Sequence, residues 1–226
     1  MASVINRAST TFVKPLDSVE QIERWWAENP MGVGVAFVGR SNVGKSSLIN
    51  TLFGNKIAKT SKTPGRTQKI NIFTFNLTTT KENGEKEELS FFLYDLPGYG
   101  HAQVNRAMSR NWEIIMDSFL HSLNGRTLLV SMQDSRHPNQ KMDLKFFDYI
   151  DPKEMEIFLV FNKLDKLKTQ KERAALNKLK PHIFKDYKHV KQIFFVSAEK
   201  KEGVPPLEQG LISYLHRIND SDMQFL

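Results

Sequence analysis

An α/β fold with a mostly parallel six-stranded sheet, one antiparallel edge strand and helices on both faces follows from three observations. Apolar runs of strand length alternate with amphipathic segments of helical spacing from residue 33 to the C-terminal helix, the pattern of a parallel sheet covered on both faces. A single polar stretch between two such runs carries Asn83-Gly84, a tight-hairpin signal and so the mark of one antiparallel pair. Residues Gly39 to Ser46 read G-x-x-x-x-G-K-S, a loop that joins a buried strand to a helix.

Residues 1–31 read as an extension in which Asp17 or Ser18 caps a short helix bearing Ile22, Trp25 and Trp26, the two indoles packing on the main domain. Val33, Val35, Phe37 and Val38 form the first strand, over about 33–38, and Leu48, Ile49, Leu52 and Phe53 mark the helix after the Gly-rich loop. Residues 54–69 are polar and turn-rich, hence a loop. Two strands, KINIFTFNL and ELSFFLYDL, flank the hairpin segment TTTKENGEKE. Val104, Met108, Trp112, Ile115, Met116 and Phe119 give a helix over 102–123. The remainder alternates: strand TLLVSM, helix Gln140–Ile150, strand EIFLVF, helix Lys168–Lys180 ended by Pro181, strand QIFFVS, helix Leu207–Ile218. The expected organisation is an extension (1–31), one main domain (32–219) and a tail (220–226).

A chain of 226 residues with 40% hydrophobic residues can bury a core of this kind. With no cysteine it has no disulfide framework and no Cys-based metal site or nucleophile, which fits a cytoplasmic protein. The start MASVINRASTTFVKPLDS has no apolar core of a signal peptide, and no stretch approaches the ~20 apolar residues of a membrane span, so no membrane role is expected. No dimer signature is visible, and a monomer is expected. The net charge is +7, and residues 163–191 alone hold ten cations against three acids, an excess equal to that of the whole chain. Such a segment is either the footprint of a polyanion binder or a solvated lysine-rich face.

The Gly-rich loop carries the chemistry. Its backbone N–H groups can surround α- and β-phosphates, Lys45 can reach the β- and γ-phosphates, and Ser46 offers a hydroxyl to Mg²⁺ at the positive end of a helix. After the strand Phe91–Tyr94 comes Asp95-Leu96-Pro97-Gly98: a carboxylate able to hold Mg²⁺ through water, then a glycine whose N–H can approach a γ-phosphate. After the strand Glu156–Phe161 comes Asn162-Lys163-Leu164-Asp165. The Asp165 carboxylate can accept from guanine N1–H and N2–H₂, a pair of donors adenine lacks. Asn162 can meet the N7/O6 side and tie loops together, and the Lys163 stem can lie over the base. The backbone of Ser197-Ala198-Glu199-Lys200 could donate to guanine O6. In loop 60–69, Thr67 is a candidate second hydroxyl on Mg²⁺, while Pro64 and Gly65 also suit a plain turn.

These motifs, GRSNVGKSSLIN, SKTPGRTQ, DLPGYG, DSRHP at Asp134–Pro138, NKLD and SAEK, resemble those of TRAFAC-class small GTPases, and within them the EngB family of bacterial ribosome-biogenesis GTP-binding proteins. The resemblance spans about Val33 to Leu215. It implies a P-loop GTPase (Ras-like) fold, hydrolysis of GTP to GDP with Mg²⁺ on Ser46, Thr67 and Asp95, a role in assembling the large ribosomal subunit and a need for the protein in normal cell division and septation. It implies nucleotide contacts from Gly39, Arg40, Ser41, Asn42, Val43, Gly44, Lys45, Ser46 and Ser47; from Gly65, Arg66, Thr67, Gln68 and Lys69; from Asp95, Leu96, Pro97 and Gly98; from Asn162, Lys163, Leu164 and Asp165; and from Ser197, Ala198 and Glu199. His101 departs from the pattern, which favours an aromatic residue there.

Lys45, Asn42, Thr67 and Gly98 are the expected catalytic set, because phosphoryl transfer to water is mostly positioning and charge neutralisation. Tyr99 stands where Ras-type enzymes place a water-orienting Gln, so slow intrinsic turnover is expected. Asn42 has two readings: related GTPases use an Asn here to hold K⁺ beside the phosphates, and Asn also tolerates a tight turn. His101 as general base is a third option. The main functional expectation is a nucleotide-controlled switch on the ribosomal subunit, binding rRNA or ribosomal protein through the basic segment. The alternative is a GTPase serving a protein partner at division or in another process, without RNA binding.

Overall fold

The computed structural model describes residues 2–54, 56–58, 69–100, 106–123, 125–150, 155–187 and 189–223. Their elements, in chain order, are β1 (Ala2–Leu16), α1 (Val19–Glu28), β2 (Gly34–Gly39), α2 (Lys45–Phe53), β3 (Ile70–Thr80), β4 (Lys86–Asp95), α3 (Arg106–His121), β5 (Thr127–Asp134), α4 (Lys141–Ile150), β6 (Ile157–Asn162), a 3-10 turn (Leu164–Lys166), α5 (Gln170–Lys178), α6 (Lys180–Asp186), β7 (Val190–Phe195) and α7 (Val204–Met223).

The strands form one sheet in the order β1-β3-β4-β2-β5-β6-β7. Pairs β2–β4, β2–β5, β5–β6 and β6–β7 are parallel, whereas β3 runs antiparallel to both β4 and β1. The expected α/β class and parallel core are therefore present, with seven strands rather than six. The antiparallel strand lies one place in from the edge. The edge itself is β1, which the sequence reading left inside an extension.

Strand periodicity assigns the faces, since alternate residues of a strand point to opposite sides. Val35 and Phe37 pack with Leu48 and Leu52 of α2 and Leu207 and Leu211 of α7. Ala36 and Val38 join the opposite core, where α1, α3, α4, α5 and α6 contribute Trp25, Phe119, Phe147, Leu176 and Ile183. All residues of β2, β5 and β6 are buried, as their near-continuous apolar sequences require. Each buried Leu or Phe contributes on the order of 2 kcal/mol.

The extension helix is capped by Ser18, whose hydroxyl accepts from the Gln21 N–H at 3.3 Å. Its indoles pack on the main domain as expected: Trp25 Nε1 donates to the Tyr94 hydroxyl at 3.3 Å, and Trp26 lies 5.7 Å from the Phe119 ring. The hairpin at Asn83-Gly84 is present, with Gly84 at φ 84° and its N–H donating to Lys81 O at 3.0 Å. Pro181 does not stop a helix. It sits in the first turn of α6, where a missing N–H costs nothing, and the break falls at Leu179 between α5 and α6. No helix among the described residues is long and apolar enough to cross a membrane.

Candidate functional site

The Gly-rich loop runs from the C-terminal end of β2, the sheet's central strand, into α2. Two of its residues need left-handed backbone: Asn42 at φ 66° and Gly44 at φ 93°. Asn tolerates this conformation, which fits the turn reading, one of the two given for Asn42. Gly44 has no alternative, because a Cβ there would lie 2.3 Å from the Asn162 amide nitrogen. Gly44 also caps α2 without offering a side-chain bond, which leaves the helix's first N–H groups directed at the loop.

Three further strand-end segments close on this loop. Lys45 Nζ pairs with the Asp95 carboxylate, and both side chains are largely buried. Gly98 packs on the loop: a Cβ on it would lie 3.1 Å from Ser41 Oγ and 3.2 Å from Gly39 O. Tyr99 N–H donates to Gly39 O at 3.2 Å, and Ser41 N–H donates to Tyr99 O at 3.1 Å. Asn162 is buried and ties two loops together, its amide donating to Val43 O at 2.9 Å and its carbonyl accepting from Ala198 N–H at 3.0 Å. The Lys163 ammonium donates to Asn42 O. Asp165 Oδ1 accepts from Ser197 Oγ at 2.5 Å, and Oδ2 faces Lys166 Nζ at 3.0 Å. Burial pushes the Asp165 carboxyl up, but the Ser197 hydroxyl and Lys166 overcome it and hold it below its ordinary value. The residues expected from the Gly-rich, Asp95–Gly98, Asn162–Asp165 and Ser197–Ala198 motifs thus meet at one place.

Other expected residues point elsewhere. The Arg40 guanidinium turns from the loop to Asp143 on α4. Ser47 is exposed. Glu199 directs its carboxylate at Lys166, 3.0 Å away, and Lys69 is engaged by Asp17 at 2.5 Å. Gly65, Arg66, Thr67, Gln68 and His101 lie outside the described residues. Tyr99 is buried: its ring stacks on Phe146 at 4.8 Å and its hydroxyl donates to Asp143 Oδ1 at 3.0 Å. So held, the Tyr99 side chain is committed to α4.

Two carboxylates matter more than their sequence suggested. Asp134 ends β5, in register with Asn162. It receives Arg136 through Nε at 3.0 Å and Nη2 at 2.7 Å, and Lys163 Nζ at 3.0 Å. Burial raises its carboxyl, yet Arg136 and Lys163 outweigh burial and hold it far below its ordinary value. Asp143 is fully buried in the first turn of α4; burial lifts its carboxyl above the usual range against the pull of Arg40. An acid in the first turn of a helix reads as an ordinary dipole partner, so nothing in the sequence marks Asp143 as buried.

Ser46 and Asp95 supply hard oxygen donors on adjoining elements. Among the described residues no three His, Cys, Asp or Glu side chains converge as a self-contained metal cage. One carboxylate plus a hydroxyl suits Mg²⁺ shared with phosphate oxygens.

Comparison with known proteins agrees with this geometry. Residues 34–163 match a family described as 50S ribosome-binding GTPase. The chain is 40% identical over 190 residues to the probable GTP-binding protein EngB of Campylobacter lari, covering 82% of this chain and 87% of that one. It is 34% identical over 215 residues to the EngB protein of Salmonella paratyphi B, covering 95% and 94%. Aquifex aeolicus Era bound to GDP and AlF4⁻ superposes with a TM-score of 0.61 at 26% identity, covering 81% of this chain, which spans only 57% of that one. An Era structure with MgGDPNP and a segment of 16S ribosomal RNA gives 0.60 at 26% identity, covering 81% of this chain and 57% of that one. A crystal structure of a probable EngB protein shares the fold, with a TM-score of 0.55 at 18% identity and coverage of 82% and 99%.

Proposed function

The chain belongs to the EngB family of GTP-binding proteins and is a GTP-hydrolysing enzyme, and from that premise we propose that it is a nucleotide-controlled switch in large ribosomal subunit assembly, needed for normal cell division. The observation that carries the reading is the knot of strand-end loops: Asn162 bonded to Val43 and Ala198, Lys163 to Asn42, and Lys45 to Asp95.

In this reading Asp165 and the Ser197–Ala198 backbone select guanine, and the loop amides from Gly39 to Ser46 cradle the phosphates. Ser46, Asp95 and, from loop 60–69, Thr67 hold Mg²⁺, which neutralises charge on the phosphates when bound. With nucleotide and Mg²⁺ bound, Lys45 would pair with phosphate and Asp95 with the metal, so neither buried charge would be left unmatched. Gly98 lends its N–H to the γ-phosphate. With Tyr99 unable to orient water, intrinsic turnover is slow and a partner completes the site.

The ribosomal part of the reading is supported by charge. Within residues 163–191, Lys163, Lys166 and Arg173 are taken up by Asp134, Glu199 and Glu202. Lys171, Lys178, Lys185 and Lys191 are exposed, and among the described residues no carboxylate pairs with them. They lie on α5, α6 and β7 and offer a phosphate backbone unneutralised charge. Co-sedimentation with large ribosomal subunits tests the proposal. Association is expected with a GTP analogue and not with GDP, and it should weaken steeply as salt rises. Absence of nucleotide-dependent association at low salt contradicts it.

A further inference from the structure

The Asp143 carboxylate adds a side-chain link between two parts of the site that also meet through backbone hydrogen bonds, Tyr99 to Gly39 and Ser41 to Tyr99. Arg40 of the Gly-rich loop donates Nε to both its oxygens, at 2.9 and 3.0 Å, and Arg40 Nη2 reaches His137 O at 3.3 Å. Tyr99, one residue beyond Gly98, donates its hydroxyl to Oδ1 at 3.0 Å. The backbone N–H of Gln140 donates to Oδ2 at 3.1 Å. Asp143 is 0% exposed, so its charge depends on these donors for compensation. Phe146, one turn along α4, stacks on the Tyr99 ring with planes 14° apart, which fixes the ring that carries the hydroxyl.

We propose that Asp143 is a positioning residue for GTP hydrolysis: held between Arg40 and Tyr99, it locks the Asp95–Gly100 segment onto the Gly-rich loop so that Gly98 stands at the γ-phosphate position. The inference rests on the functional reading above, in that it takes Gly98 to address the γ-phosphate. The packing agrees with it. Gly98 already lies against Ser41 and Gly39, and two backbone bonds zip Tyr99 to the same residues. The hydroxyl of Tyr99 and the guanidinium of Arg40 pull these two strips of backbone toward one carboxylate. The Tyr99 arm of the lock acts on the Gly98 segment, the γ-phosphate side. Its loss should therefore slow hydrolysis while leaving GDP, which has no γ-phosphate, bound as before.

The test compares the full-length wild-type chain with Y99F, D143N and the double variant, measuring single-turnover GTP hydrolysis and fluorescent-GDP affinity with Mg²⁺. Y99F keeps the ring on Phe146 and the Arg40–Asp143 pair, so it remains informative if D143N folds poorly. Y99F is expected to hydrolyse about tenfold more slowly, as misplacement of a catalytic group does, with GDP affinity within about twofold of wild type. D143N is expected to lose at least as much, and the double variant no more than D143N, because the two changes break one link. Y99F turning over at the wild-type rate overturns the proposal. So do losses that multiply in the double variant, or GDP affinity that falls in step with the rate. A wild-type chain that binds no guanine nucleotide overturns the functional reading itself and the proposal with it.

Discussion

Asp134 shows how much a single carboxylate can organise. Its oxygens are shared by Arg136 and Lys163, and Lys163 in turn donates to Asn42 O, so the Asn162–Asp165 loop and the Gly-rich loop hang on one charge. The pH dependence follows from the direction of its shift. The unfolded chain takes up the proton near the ordinary value of 3.8, while the folded chain holds it off to lower pH. The unfolded state thus binds more protons in between, and stability rises with pH there. The contribution is complete above about pH 4 and is lost as pH falls below it. D134N should therefore be less stable than wild type by about 2 kcal/mol at pH 7, with a gap that narrows toward pH 3. Urea titrations at the two pH values check this; an equal gap at both contradicts it. Lys45, Asn162 and Asp165 were legible in the sequence because their motifs sit at strand ends. Asp143 and the grip of Asp134 on Lys163 were not, because each joins residues far apart in the chain, and burial has no local signature.

Among the elements, β1 is the one whose role the sequence concealed. Its apolar alternation is interrupted: the register with β3 shifts between Asn6 and Thr11 and again between Phe12 and Lys14. Pro15 lies within the strand, as proline can at a sheet edge. The interruption has a structural use. Arg7 Nε donates to Thr51 O at 3.2 Å and Leu52 O at 3.1 Å, and Thr10 Oγ1 donates to Phe53 O at 2.7 Å, so the irregular stretch satisfies the last carbonyls of α2. The first turn of that same helix carries Lys45 and Ser46. Removing residues 1–16 should uncover the β3 edge and unseat Ile5 and Leu16 from the cores. The expected result is a Tm lowered by at least about 10 °C, or self-association on size exclusion. A monomeric truncation melting with the full chain would show β1 to be dispensable. Pro181 misled in the opposite sense: a helix breaker by residue type, it starts α6 because its position in the first turn is the one a helix allows.

For the whole molecule, the sheet order brings the loops after β2, β4, β6 and β7 to one edge, which is where ligands of such sheets bind. The alternation of strands and helices made that architecture readable, and the motifs at strand ends made the site readable with it. Charge was only half readable. A run of cations in sequence becomes partly paired and partly free once Asp134, Glu199 and Glu202, none of them inside the run, are folded against it. We propose that these loops form one Mg²⁺-dependent guanine-nucleotide switch. A structure of the chain with Mg²⁺ and a non-hydrolysable GTP analogue tests it most directly. In that complex Lys45 should be parted from Asp95 and on the phosphates, the Ser46 and Thr67 hydroxyls on the metal, and Asp165 on the guanine edge. A nucleotide bound with Lys45 still on Asp95 and Asp165 away from the base would contradict it.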